Sequence, residues 1–136
     1  MRVLLDTNVV LDVLLNRAPW AAEASALWEA HDAGRLQGYV TATTLTNIFY
    51  IARRAAGLEK AQAAVRLCLQ TFELCPVDRV TLERAAQFSG PDFEDNLQIA
   101  CAEISGLAII VTRNLPDYAH SGIRPVTPAT LLSEIN

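Results

Sequence analysis

The chain has 136 residues, 51% hydrophobic and 19% charged, and its 15 acids against 11 bases give a net charge of −4. That length and balance fit one domain over residues 1–136 and exclude a disordered segment or a fibre. The acidic balance argues against a passive nucleic-acid binder, which holds its ligand by bulk positive charge. It leaves open an enzyme whose acids are gathered in one site.

Arg2–Leu5 is a short, nearly all-apolar run, the pattern of a strand buried on both faces. This apolar start is too short for a secretory signal and ends in Asp6, and no apolar run nears the ~20 residues needed to cross a bilayer. A cytoplasmic location with no membrane association is therefore expected. Asp6-Thr7-Asn8 are cap-type residues, and Val9–Leu15 follow at helical spacing. A second helix over about Trp20–Ala33 should bury Ala21, Ala24, Leu27 and Trp28, with Gly34 stopping it. Gly38–Thr41 reads as a strand. Thr43–Ala56 reads as a helix with Leu45, Ile48, Phe49 and Ala52 on one face.

Leu58–Phe72 is a further helix and Glu73–Val77 a strand. Asp78 caps a helix ending near Phe88. Pro91-Asp92 opens a helix through Ile104, closed by Gly106. Leu107–Val111 is a second doubly buried strand, and Arg124–Val126 a short edge strand before a terminal helix. Strands alternating with helices imply an α/β sandwich around a mainly parallel sheet. The three cysteines, Cys68, Cys75 and Cys101, lack CxxC spacing and read as core thiols in a reducing compartment.

Parallel α/β sheets bind ligands at the carboxyl ends of their strands, near a topological switch point. Asp6, Thr7 and Asn8 follow the first buried strand. Thr112, Arg113, Asn114 and then Asp117 follow the later one, and Asp92, Glu94 and Asp95 open the helix between them. Clustered carboxylates raise one another's pKa unless a cation sits among them. Magnesium suits such a site: it takes oxygen ligands, keeps waters, activates a water and holds a phosphate. The acids therefore read as a phosphodiester-cleaving centre.

The segments LLDTNVVLDVLLNR, DFEDNLQIACAEISGLAIIVTRN and LPDY, with the terminal TPATLL, resemble PIN-domain proteins, which include the VapC toxins of bacterial toxin–antitoxin pairs. The resemblance covers essentially the whole chain and rests on the ordered set of motifs. It implies a three-layer α/β/α sandwich with a five-stranded sheet in the order 3-2-1-4-5. It also implies a magnesium- or manganese-dependent endoribonuclease acting on RNA, an antitoxin protein partner and a homodimer. Asp6 and Asp95 become metal ligands, with Asp117 the nearest third acid. The family's usual glutamate after the second strand aligns with Asn47, in TATTLTNIFY, and its acid after the fourth strand with Asn114. These neutral residues imply weaker metal affinity, although Asn47 keeps a carbonyl oxygen that could orient a water. Thr7, Asn8, Thr112 and Arg113 are candidates for substrate binding, Arg113 as a phosphate clamp.

Plainer roles stand beside these. Asp6, Asp92, Thr7 and Thr112 suit helix caps, and Asp12 and Glu94 suit solvated helix faces. Tyr50, Trp20 and Trp28 suit the core. Arg53, Arg54, Lys60 and Arg66 suit a solvated face or a basic flank guiding RNA. His31 and His120 have no partner at metal-ligand spacing. A phosphatase of the haloacid-dehalogenase type would want a second Asp where Asn8 stands and a downstream lysine, and the only lysine is Lys60. The remaining alternative is a PIN-like domain that binds RNA or protein without cutting.

Overall fold

The computed structural model describes residues 1–136. Five strands, β1 (Arg2–Leu5), β2 (Gln37–Thr41), β3 (Glu73–Cys75), β4 (Ile109–Val111) and β5 (Arg124–Val126), form one sheet in the order β3-β2-β1-β4-β5. Every pairing is parallel, not merely most of them. The helices are α1 (Thr7–Leu14), α2 (Ala21–Asp32), α3 (Ala42–Ala56), α4 (Leu58–Thr71), α5 (Arg79–Ala86), α6 (Phe93–Ile104) and α7 (Pro128–Ile135). A 3-10 turn spans Leu115–Tyr118.

The two-residue alternation of a strand explains the layers. Val3 and Leu5 of β1 and Val111 of β4 enter a core that includes Val9 and Val10 of α1, Leu27 of α2, Ile48 of α3, Cys68 of α4 and Leu131 of α7. Leu4 and Ile110 point the other way, into a second core with Ala85 of α5, Leu97 and Cys101 of α6, and Tyr118. Helices thus cover both faces, giving three layers. From β1 the chain moves to β2 through α1 and α2, then later to β4 on the opposite side of β1. The switch point therefore lies between β1 and β4.

Two strands are shorter than the apolar runs suggest. Beyond Cys75 stands Pro76, which has no N–H for a ladder. Leu107 is taken up in ending α6: Gly106 adopts φ +70° and the Leu107 N–H donates to the Ala102 carbonyl at 2.8 Å. The α3 face holds, with Ile48 and Ala52 fully buried and Leu45 and Phe49 partly so. The expected core role of Trp20 and Tyr50 does not hold: they are 42% and 59% exposed. Trp28 packs edge-on against Phe72 at the core margin. All three cysteines are buried and free; burial pushes Cys68 up to about 11 and Cys101 up to about 12. No helix is long and apolar enough to cross a membrane.

Candidate active site

The ladder between β1 and β4 continues one residue past the strands, because the Asp6 N–H donates to the Val111 carbonyl at 3.0 Å. This places the Asp6 side chain beside the start of the loop after β4. Asp6 is a backbone N-cap of α1, but its side chain makes no capping bond. Instead Oδ2 accepts from the Thr112 hydroxyl at 2.8 Å and Oδ1 from Gln98 Nε2 at 3.1 Å. Burial raises the Asp6 pKa and the negative charge of Asp117 adds to the rise. The bonds from Thr112, the Thr7 backbone and Gln98 oppose it.

Asp95 sits in the first turn of α6. Its N–H is capped by Asp92 Oδ1 at 3.2 Å, so the expected capping role of Asp92 holds. Asp95 Oδ1 accepts from the Tyr118 hydroxyl at 3.0 Å. Burial first of all, then the charges of Asp92, Asp117 and Asp6, push its pKa up to about 6, against the lowering effect of the Tyr118 bond. Asp117 is exposed on the 3-10 turn, whose start is tied by its N–H to the Asn114 carbonyl.

These three carboxylates line one polar cleft of about 370 Å³ together with Thr7, Asn8, Asn47 and Asn114. No lysine, arginine or histidine lines it. Asn47 reaches across from α3 to α6, where its Nδ2 donates to Glu94 Oε2 at 3.2 Å. Glu94 therefore borders the cleft, although it suited a merely solvated face. Thr7 and Thr44 hydroxyls meet at 2.9 Å, and Thr41 caps α3 by accepting from the Thr44 N–H.

Two of the substrate-binding candidates lie elsewhere. Thr112 is fully buried beneath Asp6, where it also accepts from the Asn114 N–H, so it supports the carboxylate and does not face the cleft. Arg113 is not a free phosphate clamp. Its guanidinium donates to Asp12 Oδ1 at 3.3 Å, its Nε lies 2.9 Å from Asp12 Oδ2, and its centre stands 3.7 Å over the Trp20 ring. Asp12 is in turn no solvated acid. It is 1% exposed and also holds Arg17 at 2.9 Å, and Arg17 reaches the backbone and side-chain oxygens of Asn8.

Sequence reasoning missed Gln98, Tyr118 and the threonines Thr41, Thr43 and Thr44. Thr41 ends β2, and Thr43 and Thr44 follow it as Asp6 follows β1, so the rule that located Asp6 could have found them. Gln98 lies three residues after Asp95 on α6, and hence on the same helical face.

The donor set bears on what the cleft can hold. It offers oxygen throughout: the carboxylates of Asp6, Asp92, Glu94, Asp95 and Asp117, and the amides of Asn47, Gln98 and Asn114. No three Asp, Glu, His or Cys side chains are already drawn together as a closed cage. An open oxygen site fits magnesium, which is usually held by one or two carboxylates and keeps its waters. Asp92 is spent as the α6 cap and Glu94 is bonded to Asn47.

Fold and site together define an α/β protein with an acidic, oxygen-lined cleft at the switch point of a parallel sheet. The chain belongs to the PIN domain family, whose model matches residues 2–116. The fold is similar to a toxin–antitoxin complex from Klebsiella pneumoniae, at 25% identity and TM-score 0.68 over 93% of this chain and 97% of that one. It is also similar to DNA-bound VapBC from Salmonella typhimurium, at 22% identity and TM-score 0.69 over 94% and 98%. VapC20 of Mycobacterium tuberculosis, a sarcin–ricin-loop-cleaving toxin, matches at 16% identity and TM-score 0.71 over 90% and 99%. The sequence has no significant match among curated proteins.

Proposed function

We propose that the protein is a magnesium- or manganese-dependent endoribonuclease hydrolysing RNA phosphodiester bonds, and that it is the toxin of a toxin–antitoxin pair. One observation carries this reading: Asp6, Asp95 and Asp117 share a cleft that no basic side chain lines. Burial first, and then the charges of neighbouring acids, raise the pKa of Asp6 and Asp95, so the site favours a cation from outside the chain.

Asp6 and Asp95 are the principal ligands, and Asp117, Asn47 and Asn114 offer further oxygens. When bound, the metal would polarise the scissile phosphate and lower the pKa of a water. Thr112 and Gln98 hold Asp6 in place from below. Thr7 and Asn8 present polar groups to the RNA backbone. On α3, Arg54 stands three residues after the cleft-lining Ile51 and is exposed, so it extends the same helical face toward an incoming phosphate chain.

The kinship with toxin–antitoxin complexes supports an antitoxin partner. Tyr50, Leu58, Leu67 and Leu69 of α3 and α4 are exposed apolar residues suited to protein contacts, including a homodimer. Ile48 and Ala52 are consumed by the core and cannot serve there. Free buried thiols suit a reducing, cytoplasmic setting.

Incubation of RNA with the purified protein in magnesium and in EDTA tests the reading. Cleavage should require the metal and disappear in Asp95→Asn. A wild-type protein that retains RNA yet never cuts it would favour the non-catalytic alternative, for which the neutral Asn47 and Asn114 speak.

A further inference from the structure

At the floor of the cleft, Asp6 and Asp95 are each held by a further buried side chain, Gln98 and Tyr118. Gln98 Nε2 donates to Asp6 Oδ1 at 3.1 Å. The Tyr118 hydroxyl donates to Asp95 Oδ1 at 3.0 Å. Gln98 is 6% exposed and Tyr118 1%. Both pack around α6, which also carries Asp95. With Thr112 on Asp6 Oδ2, both Asp6 oxygens and one Asp95 oxygen are held by buried neutral donors.

The orientation of the Gln98 amide follows from chemistry. A carboxylate only accepts, so the nitrogen must face Asp6. That leaves Gln98 Oε1 buried without a partner. An unpaired buried acceptor costs stability, and an apolar side chain of similar shape would avoid the cost. The amide is thus poorly explained by folding alone. Tyr118 has a comparable logic: phenylalanine would fill the same apolar pocket beside Leu97 and Ile110 without needing an acceptor.

We propose that Gln98 and Tyr118 are positioning residues, a buried bracket that fixes the Asp6 and Asp95 carboxylates relative to each other so that their free lone pairs meet at one cation. The inference rests on the metal-dependent reading above. Each acts through the carboxylate it holds: Gln98 through Asp6 and Tyr118 through Asp95. Hydrogen-bond partners behind metal ligands typically govern affinity or activity by about 10–100-fold.

The test uses the full chain with manganese as the probe. Binding is measured by calorimetry for wild type, Tyr118→Phe and Gln98→Leu, and each protein is melted in EDTA. Each variant should bind manganese about tenfold more weakly or worse, and the double variant should lose less than the product of the two. A merely structural role would lower the melting temperature and leave the affinity of the folded protein unchanged. Unchanged affinity in both variants, with wild type binding normally, would overturn the bracket while leaving the metal site intact. Wild type that binds no manganese would overturn both. If Tyr118→Phe does not fold, the manganese affinity of Gln98→Leu decides alone, and the converse holds.

Discussion

Asp6 and Asp12 lie six residues apart, one at the mouth of α1 and one within it, and both are buried. Asp12 is surrounded by cations: Arg17 and Arg113 both reach it, and Trp20 stacks on the second guanidinium. Asp6 receives side-chain hydrogen bonds only from neutral donors, Thr112 and Gln98, and the charge that acts on it is that of another acid, Asp117. Asp12 is therefore complete within the chain. Asp6 has been held in place but not neutralised, which is what an ion-binding ligand requires. Burial alone does not distinguish the two; the sign of the neighbours does.

The largest expected effect separates them by activity. Asp6→Asn or Asp95→Asn removes a ligand charge and should lower RNA cleavage by on the order of 100-fold or more, as loss of a single electrostatic stabiliser commonly does. Thr112 can turn its hydroxyl to suit an amide at position 6, so the Asp6 variant should remain folded. Gel assays of RNA cleavage beside melting curves check both statements. An Asp6→Asn protein that cuts normally would remove the distinction between the two aspartates.

The next effect is on stability. Asp12→Ala strands two arginines beside an apolar helix face. Removing one partner of a buried pair costs about 3–5 kcal/mol. The low end applies, since the Arg17 and Arg113 side chains keep 29% and 21% of their exposure. Urea unfolding should register this loss. A change below about 1 kcal/mol, the level of surface pairs, would show that Asp12 is not the anchor its burial indicates. The variant should also loosen Asn8, which Arg17 holds on the cleft side.

A smaller effect follows from pH. The Asp95 pKa is raised from 3.8 to about 6 in the fold, chiefly by burial. A raised carboxylate favours folding while it is protonated. Its contribution is complete below about pH 4 and is lost as pH rises through about 6. In EDTA, wild type should therefore lose melting temperature relative to Asp95→Asn between pH 4 and pH 7. Saturating manganese should cancel the loss, because the cation favours the ionised form. Parallel melting profiles in EDTA would mean that Asp95 is an ordinary surface acid.

The legible parts of the molecule are those fixed by periodicity and by strand ends. The doubly buried runs gave β1 and β4, and acids placed just after a strand or at a helix start gave Asp6 and Asp95. Partners formed across long separations were not legible. Tyr118 meets Asp95 only because the turn after β4 folds back over α6. Asp12 was readable in principle: an acid inside the apolar run VVLDVLL, with Arg17 one turn and a half beyond, is badly placed for water. Its second cation, Arg113, comes from the far side of the chain, and no local pattern announces it.

The smallest and most specific effect concerns Asn47, a neutral residue on the wall of the cleft opposite α6. Its Nδ2 donates to Glu94 Oε2, so the present wall is held together by an amide–carboxylate bond. Asn47→Glu replaces that donor with a second carboxylate facing the first. Without metal the two should repel, lowering stability by a few tenths of a kcal/mol, since both groups border solvent. With metal the added charge lies beside the cation, and carboxylates are stronger magnesium ligands than amides. The variant should therefore melt lower than wild type in EDTA and narrow or reverse that gap in magnesium. Cleavage should rise at low magnesium and converge with wild type near saturation, where occupancy no longer limits the rate. The crossing of the two melting series is the decisive observation. Equal displacement in EDTA and in magnesium would mean that position 47 feels Glu94 but not the ion, and would confine the metal to the Asp6–Asp95 side of the cleft.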